Sequence, residues 1–165
     1  MIDIIFLSYD ETNANENWAL LKSRFPHAQR VHGIKGVKDA HKMAAAMSRS
    51  DFFFIVDGDN QIHDDFDFTL DFTPEKDTLY VWRCLNPVND LVYGYGCVKL
   101  YNKFILLELN KKTSIDVATT VAVKYKPIFK TASTTAFNSS AYETWRGAFR
   151  ESLKLTMNVL NGAGD

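Results

Sequence analysis

The stretch that decides the fold runs Phe52-Phe53-Phe54-Ile55-Val56-Asp57-Gly58-Asp59-Asn60. Aromatic and β-branched residues suit a buried, pleated surface, so Asp51–Val56 is predicted to form a central strand. Two carboxylates follow this strand, separated by one glycine. Glycine allows a sharp backbone turn, so we expect both carboxylates to face one point.

Asp57 and Asp59 are predicted to be metal ligands. Two close carboxylates repel each other unless a cation neutralises them, and hard oxygen ligands suit Mn²⁺ or Mg²⁺. Such an ion can also bind a diphosphate. The alternative is an ordinary Asp-Gly turn between strands. The buried strand before the pair, third in an α/β series, favours the metal site.

The residues before this motif alternate between predicted strands and helices. The predicted elements are the strand Ile2–Ser8, the helix Asn13–Arg24, the strand Gln29–His32, the helix Val37–Arg49 and the strand Asp51–Val56. This order is typical of a parallel α/β sheet, whose ligands bind at the carboxyl ends of the strands. We therefore expect Ser8–Glu11 and Asp57–Asn60 to meet there.

The second half of the chain is less regular. Its predicted elements are the strands Leu79–Cys84, Val98–Tyr101 and Val121–Phe129, the loop Asn86–Gly96, and the helix Tyr142–Leu160 with Trp145, Phe149, Leu153 and Leu160 on one stripe. The expected fold class is α/β: a Rossmann-like, mostly parallel sheet flanked by helices. The 165 residues predict one domain at 1–161 and a flexible tail at 162–165.

Composition excludes several classes of protein. A content of 46% hydrophobic and 13% aromatic residues excludes a disordered chain. The longest apolar run, Phe52–Val56, is far shorter than the roughly 20 residues that a membrane-spanning helix needs. The N-terminus shows no signal-peptide pattern, and Cys84 and Cys97 suggest neither a disulfide framework nor a metal motif. We expect a cytoplasmic protein without membrane insertion.

Charge is unevenly distributed, although the net charge is only −1. Nine acids and one base lie between Asp51 and Asp77, whereas seven lysines and two acids lie between Lys99 and Lys130. One interpretation is two differently solvated faces. The other is an acidic metal lobe beside a basic lobe that meets an anionic partner. The sequence leaves both open.

The segment Gly36–Asn60, GVKDAHKMAAAMSRSDFFFIVDGDN, resembles the core of family-2-like GT-A glycosyltransferases, in which a helix precedes a strand ending in the DxD motif. Leu7–Glu11 resembles their first strand, Ser114–Val117 lies where they often carry a catalytic acid, and Thr144–Arg150 loosely resembles their late Q-x-x-R-W helix. The sequence departs from the pattern at His41, where arginine or asparagine is usual, and lacks a clear Glu-Asp pair at Asp116.

This resemblance implies a GT-A-like fold and a metal-dependent enzyme that moves a sugar from a nucleotide-sugar donor, with uridine as the expected base, to an acceptor hydroxyl. Asp57 and Asp59 would hold Mn²⁺ or Mg²⁺, and Asp116 would be the catalytic base. The residues expected to bind the donor are Ser8, Asp10, Glu11, Asp39, Asp57, Arg146 and Arg150. For the two arginines, the alternative is a solvated face paired with Glu143 and Glu151.

Two other functions stay open: a non-catalytic module that binds a nucleotide or sugar, and a metal-dependent phosphatase. For the acceptor, the seven lysines predict a polyanion, with modified DNA as the leading candidate. Aromatic residues interleaved there could stack on an extruded base, namely Trp82, Tyr93, Tyr95 and Tyr101. The chain also resembles small GT-A-like proteins of large tailed bacteriophages, which implies a host-cytoplasmic enzyme. The alternative acceptor is a lipid-linked or protein-linked glycan.

Overall fold

The computed structural model describes residues 1–93, 97–109, 117, 124–136 and 140–160, and in the last helix the side chains of 141–150, 152, 153 and 156. The strands are β1 Asp3–Ser8, β2 Gln29–His32, β3 Phe52–Asp57, β4 Asn60–Ile62, β5 Thr78–Asn86, β6 Leu91–Tyr93, β7 Val98–Asn102 and β8 Lys124–Thr135. The helices are α1 Ala14–Arg24, α2 Val37–Met47, α3 Lys103–Leu107 and α4 Ala141–Leu160.

The strands form one mixed sheet in the order β2-β1-β3-β7-β5-β8-β4, with β6 added beside β5. Strands β2, β1 and β3 are parallel, as predicted. However, β7 runs antiparallel to both β3 and β5, and β4 runs antiparallel to β8. β5 and β8 are again parallel. The predicted parallel order therefore holds for the first three strands and for β5 with β8, whereas β4, β6 and β7 run antiparallel to their neighbours and make the sheet mixed.

Strand β3 lies at the centre of two hydrophobic layers. Side chains alternate between the two faces of a strand, and its four central residues have no exposed surface. Phe54 and Val56 pack in the layer that contains α1, whereas Phe53 and Ile55 pack in the layer that contains α2 and α3. The predicted central strand is confirmed, and it places Asp57 and Asp59 at the carboxyl end of β3.

Two short strands were not predicted. β4 follows the aspartates directly and pairs with the end of β8, where Asn60 faces Thr135. β6 forms within the predicted loop Asn86–Gly96 and pairs with β5 as a hairpin. Neither three-residue segment has an apolar pattern long enough to identify a strand, so only the partner strand defines it.

The final helix, α4, is present as predicted, but its apolar stripe faces outward. Tyr142, Trp145, Phe149 and Leu153 are 49–62% exposed. The three aromatic rings contact one another along the helix, with the Trp145 and Phe149 centroids stacked 5.5 Å apart. Among the described residues, no helix combines the length and apolar character needed to cross a bilayer.

Candidate functional site

The predicted meeting of two polar segments occurs at the carboxyl ends of β1 and β3. Leu7 pairs with Asp57 in the parallel register, so the residues after each strand emerge side by side. They line a cleft of about 960 Å³. The cleft residues that carry charge or hydrogen-bonding groups include Ser8, Asp10, Glu11, Asp57, Asp59, Lys99, Arg146 and Arg150.

Gly58 is required by close packing. A Cβ atom at this position would lie 2.7 Å from both Glu11 Oε2 and Ser8 Cβ. Its backbone φ is not in the left-handed region, so the expected reason for the glycine, a sharp turn, is not the observed one. The turn is also tied to α1, because buried Asn17 donates from Nδ2 to the Gly58 carbonyl over 3.1 Å. Asn17 had no distinguishing signal in the sequence.

Lys99 lines the cleft, although the sequence analysis placed it among the lysines expected to meet a polyanion. Its Nζ lies 2.7 Å from Asp57 Oδ2, and the residue is 8% exposed. Burial lowers the pKa of Lys99, but the nearby Asp57 carboxylate outweighs that effect and raises the pKa above its ordinary value. Lys99 therefore stays charged. The sequence feature that could have identified Lys99 is its position within the otherwise apolar segment Val98–Tyr101. That segment is fully buried.

Asp59 is held in an environment that disfavours its ionised form. Burial, followed by repulsion from Asp57 and Glu11, raises the pKa of Asp59 to about 7, although Lys99 partly offsets the repulsion. Asn60 Nδ2 donates to Asp59 Oδ1 over 2.6 Å, and Asn60 is fixed in turn by Ser133 Oγ at 3.0 Å. The Asp59 carboxyl group is thus held in place by Asn60 in a buried position beside two other acids.

These residues can be tested for their fit to a divalent ion. Within the described part of the chain, no three His, Cys, Asp or Glu side chains are grouped as a complete metal site. Mg²⁺ commonly uses only one or two protein carboxylates and completes its shell with water and substrate phosphates. Asp57 and Asp59 fit that second arrangement, because both carboxylates line the same cleft and flank one glycine.

The loop after β1 is ordered by its own contacts. Ser8 Oγ accepts from Arg30 Nε at 3.0 Å and lies 3.0 Å from His32 Nδ1, so this buried hydroxyl is engaged with β2. The Tyr9 amide donates to Glu11 Oε2 over 2.8 Å. Ser8 and Glu11 therefore shape the cleft, whereas the Asp10 side chain is exposed.

Helix α4 forms one wall of the cleft. Arg146 Nη1 lies 3.9 Å from Asp10 Oδ2 and 3.4 Å from Glu143 Oε2, so it contacts both the predicted nucleotide loop and its helical neighbour. Arg150 lines the cleft and is exposed. Asp39 is exposed in the first turn of α2 and is not part of the lining. The structure brings Arg146 and Arg150 to the site and leaves Asp39 outside it.

The candidate base, Asp116, lies outside the described residues, as do Tyr95, Lys111 and Lys112. Its role stays a prediction. The next residue in the sequence, Val117, is described: it is 1% exposed and contributes to the cleft wall.

Two of the lysines expected to meet a polyanion, Lys124 and Lys130, are paired with the acidic segment. Lys124 Nζ lies 3.1 Å from Glu75 Oε2 and 3.5 Å from Asp77 Oδ2, and Lys130 Nζ lies 4.0 Å from Asp67 Oδ1. At these two lysines, the opposite charges that lie apart in the sequence are paired in space.

The aromatic residues expected to stack on a base are mostly internal. Trp82 and Tyr101 are each 3% exposed, because both point into the hydrophobic layers of the sheet. Neither can stack on an extruded base in this structure. Tyr93 is half-buried and lines the cleft.

This chain resembles known proteins in its fold. No family model matches the chain, and no curated protein sequence matches it. A glycosyltransferase involved in the glycosylation of the major capsid of PBCV-1 matches over 92% of this chain and 100% of its own, with a TM-score of 0.52 and 9% identity. At that identity the match shows that the two proteins share a fold and does not extend to function.

Two structures of HddC from Yersinia pseudotuberculosis are also similar, each covering 80% of this chain and 92% of its own. The first has a TM-score of 0.47 and 12% identity. The second, complexed with GMP-PN, has a TM-score of 0.45 and 11% identity.

Proposed function

We propose that this protein is a metal-dependent glycosyltransferase that moves a sugar from a nucleotide-sugar donor, a UDP-sugar in our proposal, to an acceptor hydroxyl. The observation that carries the proposal is the cleft where the loop after β1 meets the Asp57-Gly58-Asp59 turn. Carboxylates for a cation and cations for a diphosphate converge there, in a fold shared with a known glycosyltransferase.

Asp59, with Asp57, would hold Mn²⁺ or Mg²⁺, which supplies positive charge to the leaving nucleoside diphosphate. Arg146 and Arg150 extend from the α4 wall and can donate to phosphate oxygens, since a guanidinium forms paired hydrogen bonds with them. Asp10 and Glu11 are proposed to place the ribose and base. Ser8 supports that loop through its contacts with β2.

Asp116 is proposed as the base that accepts the proton of the attacking acceptor hydroxyl. Support comes from its sequence neighbour Val117, which forms part of the cleft wall. A positioned carboxylate of this kind contributes roughly 10²–10⁴-fold to a proton-transfer step.

The experiment is a panel of nucleotide sugars incubated with the full chain, with and without Mn²⁺, while sugar and nucleotide products are quantified. A transferase releases a nucleoside diphosphate only with Mn²⁺, and Asp59→Asn abolishes the release. Binding of a nucleotide sugar without product would favour the non-catalytic module. Metal-dependent release of inorganic phosphate from a phosphomonoester would favour the phosphatase.

The proposed acceptor follows from the sequence alone. Modified DNA stays a prediction from the sequence, and pairing of Lys124 and Lys130 with acids removes part of its basis. Binding to duplex DNA at low and moderate salt tests it, because phosphate contacts make affinity fall steeply with salt. No binding at low salt, or binding unaffected by alanine at Lys124, Lys126 and Lys130, would exclude this acceptor surface.

A further inference from the structure

Lys99 lies where a strand rarely carries a charge. β7 is between β3 and β5, and Lys99 faces Ile55 on one side and Val81 on the other. Its immediate neighbours, Val98 and Leu100, have no exposed surface. Taking an ammonium group out of water is costly unless a partner compensates, and the partner here is the Asp57 carboxylate at 2.7 Å.

This ion pair affects what Asp57 can do. Asp57 is the first carboxylate of the motif expected to hold a divalent ion, and one of its oxygens already contacts a fixed positive charge. Asp59 lines the same cleft, and Glu11 Oε2 packs against Gly58, so these acids lie around one turn. A divalent ion that enters this group must therefore share Asp57 with Lys99 or rely on the other oxygen ligands.

We propose that Lys99 is an internal counter-cation that competes with the divalent ion for Asp57, so that the site binds the ion weakly alone and tightly together with a nucleoside diphosphate. The proposal deepens the proposed function, on which it rests. The diphosphate would supply oxygen ligands in place of the Asp57 oxygen that contacts Lys99. Lys99 is thus a positioning residue: it makes metal binding depend on the donor.

The test uses the 165-residue chain and Mn²⁺ alone, with free Mn²⁺ followed by its electron paramagnetic resonance signal. Lys99→Met removes the competing charge and should tighten Mn²⁺ binding by about tenfold or more, because like-signed repulsion at short range is worth at least that factor. Lys99→Arg keeps the charge and should keep the weak binding. Lys103→Met is the matched control, since Lys103 is a neighbouring lysine outside the cleft lining.

The double variant Asp57→Asn with Lys99→Met keeps the net charge of the wild type. It should bind Mn²⁺ no more tightly than the wild type, because the expected increase in affinity requires the Asp57 carboxylate. Circular dichroism establishes that each variant is folded. A purely structural role for Lys99 predicts equal or weaker Mn²⁺ binding in Lys99→Met, and that result in a folded variant would overturn the proposal. Retention of the gain in the double variant would also overturn it.

The wild type provides a second test if Lys99→Met does not fold. Its Mn²⁺ affinity should rise at least about tenfold when UDP or GDP is present, and equal affinities with a bound diphosphate would contradict the proposal. If neither diphosphate binds the wild type, the proposed function fails, while the Mn²⁺ titrations of the variants still decide the role of Lys99.

Discussion

Gly58 and Glu11 approach so closely that a methyl group on Gly58 would lie 2.7 Å from Glu11 Oε2. The turn between the two aspartates therefore packs directly on the loop that follows β1. Because Asn17 also donates to the Gly58 carbonyl, α1 holds the same turn from another direction. The carboxylates and the proposed nucleotide loop are one packed unit, and a change in either should affect both.

Gly58→Ala should weaken UDP binding in the presence of Mn²⁺ and lower the free energy of unfolding by about 1–3 kcal/mol, because the added methyl group must displace Glu11 or Ser8. The control is Gly33→Ala. Gly33 has a φ of +73° and open space around it, so alanine there brings only backbone strain, about 1–2 kcal/mol. Calorimetric titration should show lost binding for Gly58→Ala alone. Equal binding by both variants would contradict the packed unit.

Asp59→Asn should remove the rise in melting temperature that Mn²⁺ and UDP together produce, while the ligand-free protein melts at the same or a higher temperature. The substitution removes repulsion among Asp59, Asp57 and Glu11 and keeps the oxygen that accepts from Asn60. Ligand at about 100 times its dissociation constant stabilises the folded state by roughly 2.7 kcal/mol, which is easily measured. Asp65→Asn, at an exposed acid outside the cleft, should behave as wild type. A full ligand shift in Asp59→Asn would place the metal elsewhere.

Asp116→Asn should bind UDP-sugar normally but lose about 10²–10⁴-fold in the rate of transfer, because a base acts on the chemical step. Binding by titration and turnover by product release separate the two effects. Glu108→Gln is a suitable control, since Glu108 is an exposed acid in the preceding segment. Near-normal turnover in Asp116→Asn would remove this residue from the mechanism and direct attention to Glu143 or Glu151.

The first half of the fold was predictable because its signals are local. β1 to β3 and the two helices between them each carry an apolar pattern long enough to identify the element, and parallel order follows from the alternation. The meeting of Ser8–Glu11 with Asp57–Asp59 was therefore predictable from the sequence. The proposed chemical roles of these residues came from the motif and its family resemblance.

The second half depends on contacts between distant residues. β4 exists because Asn60 pairs with Thr135, and the direction of β7 is set by pairing with β3 and β5. No local pattern encodes such pairings. The pairing of Lys124 was not predictable for the same reason. Lys124 and Glu75 are distant in the sequence, whereas the pairing of β5 with β8 brings them to 3.1 Å.

Asp3→Asn should destabilise the fold by about 1–3 kcal/mol at neutral pH, because the carboxylate joins the start of β1 to the turn before β3. Its Oδ2 accepts from the amides of Arg49 at 2.6 Å and Ser50 at 3.0 Å. Partial burial raises the pKa of Asp3, but these hydrogen bonds, with those from the Ser48 and Ser50 hydroxyls, outweigh it and leave the pKa below its ordinary value of 3.8.

The lowered pKa of Asp3 determines how its contribution to stability changes with pH. A carboxyl group with a lowered pKa in the folded state stabilises the fold fully above its ordinary pKa, and this contribution is lost as pH falls through the folded-state pKa. Urea unfolding should show a constant difference between wild type and Asp3→Asn from pH 8 to about pH 5, narrowing below about pH 4. Asp51→Asn, at an exposed aspartate near the same turn, should change stability by less than about 0.5 kcal/mol. A difference at Asp3 that persists unchanged in acid would show that its charge is not what stabilises the turn.

Trp82 and Trp145 should differ strongly in their contribution to stability, although both belong to aromatic clusters. Trp82 is 3% exposed and packs against Phe54, with ring centroids 5.3 Å apart, whereas Trp145 is 60% exposed on α4. Trp82→Ala should cost about 3–5 kcal/mol, with Trp82→Phe as a milder variant if alanine prevents folding. Trp145→Ala should cost less than about 0.5 kcal/mol, because an exposed helical position loses little on truncation to alanine. Urea unfolding of dilute protein measures both. A large cost at Trp145 would mean that the stripe on α4 is covered in solution, and a cost that grows with protein concentration would identify a second copy of the chain as the cover.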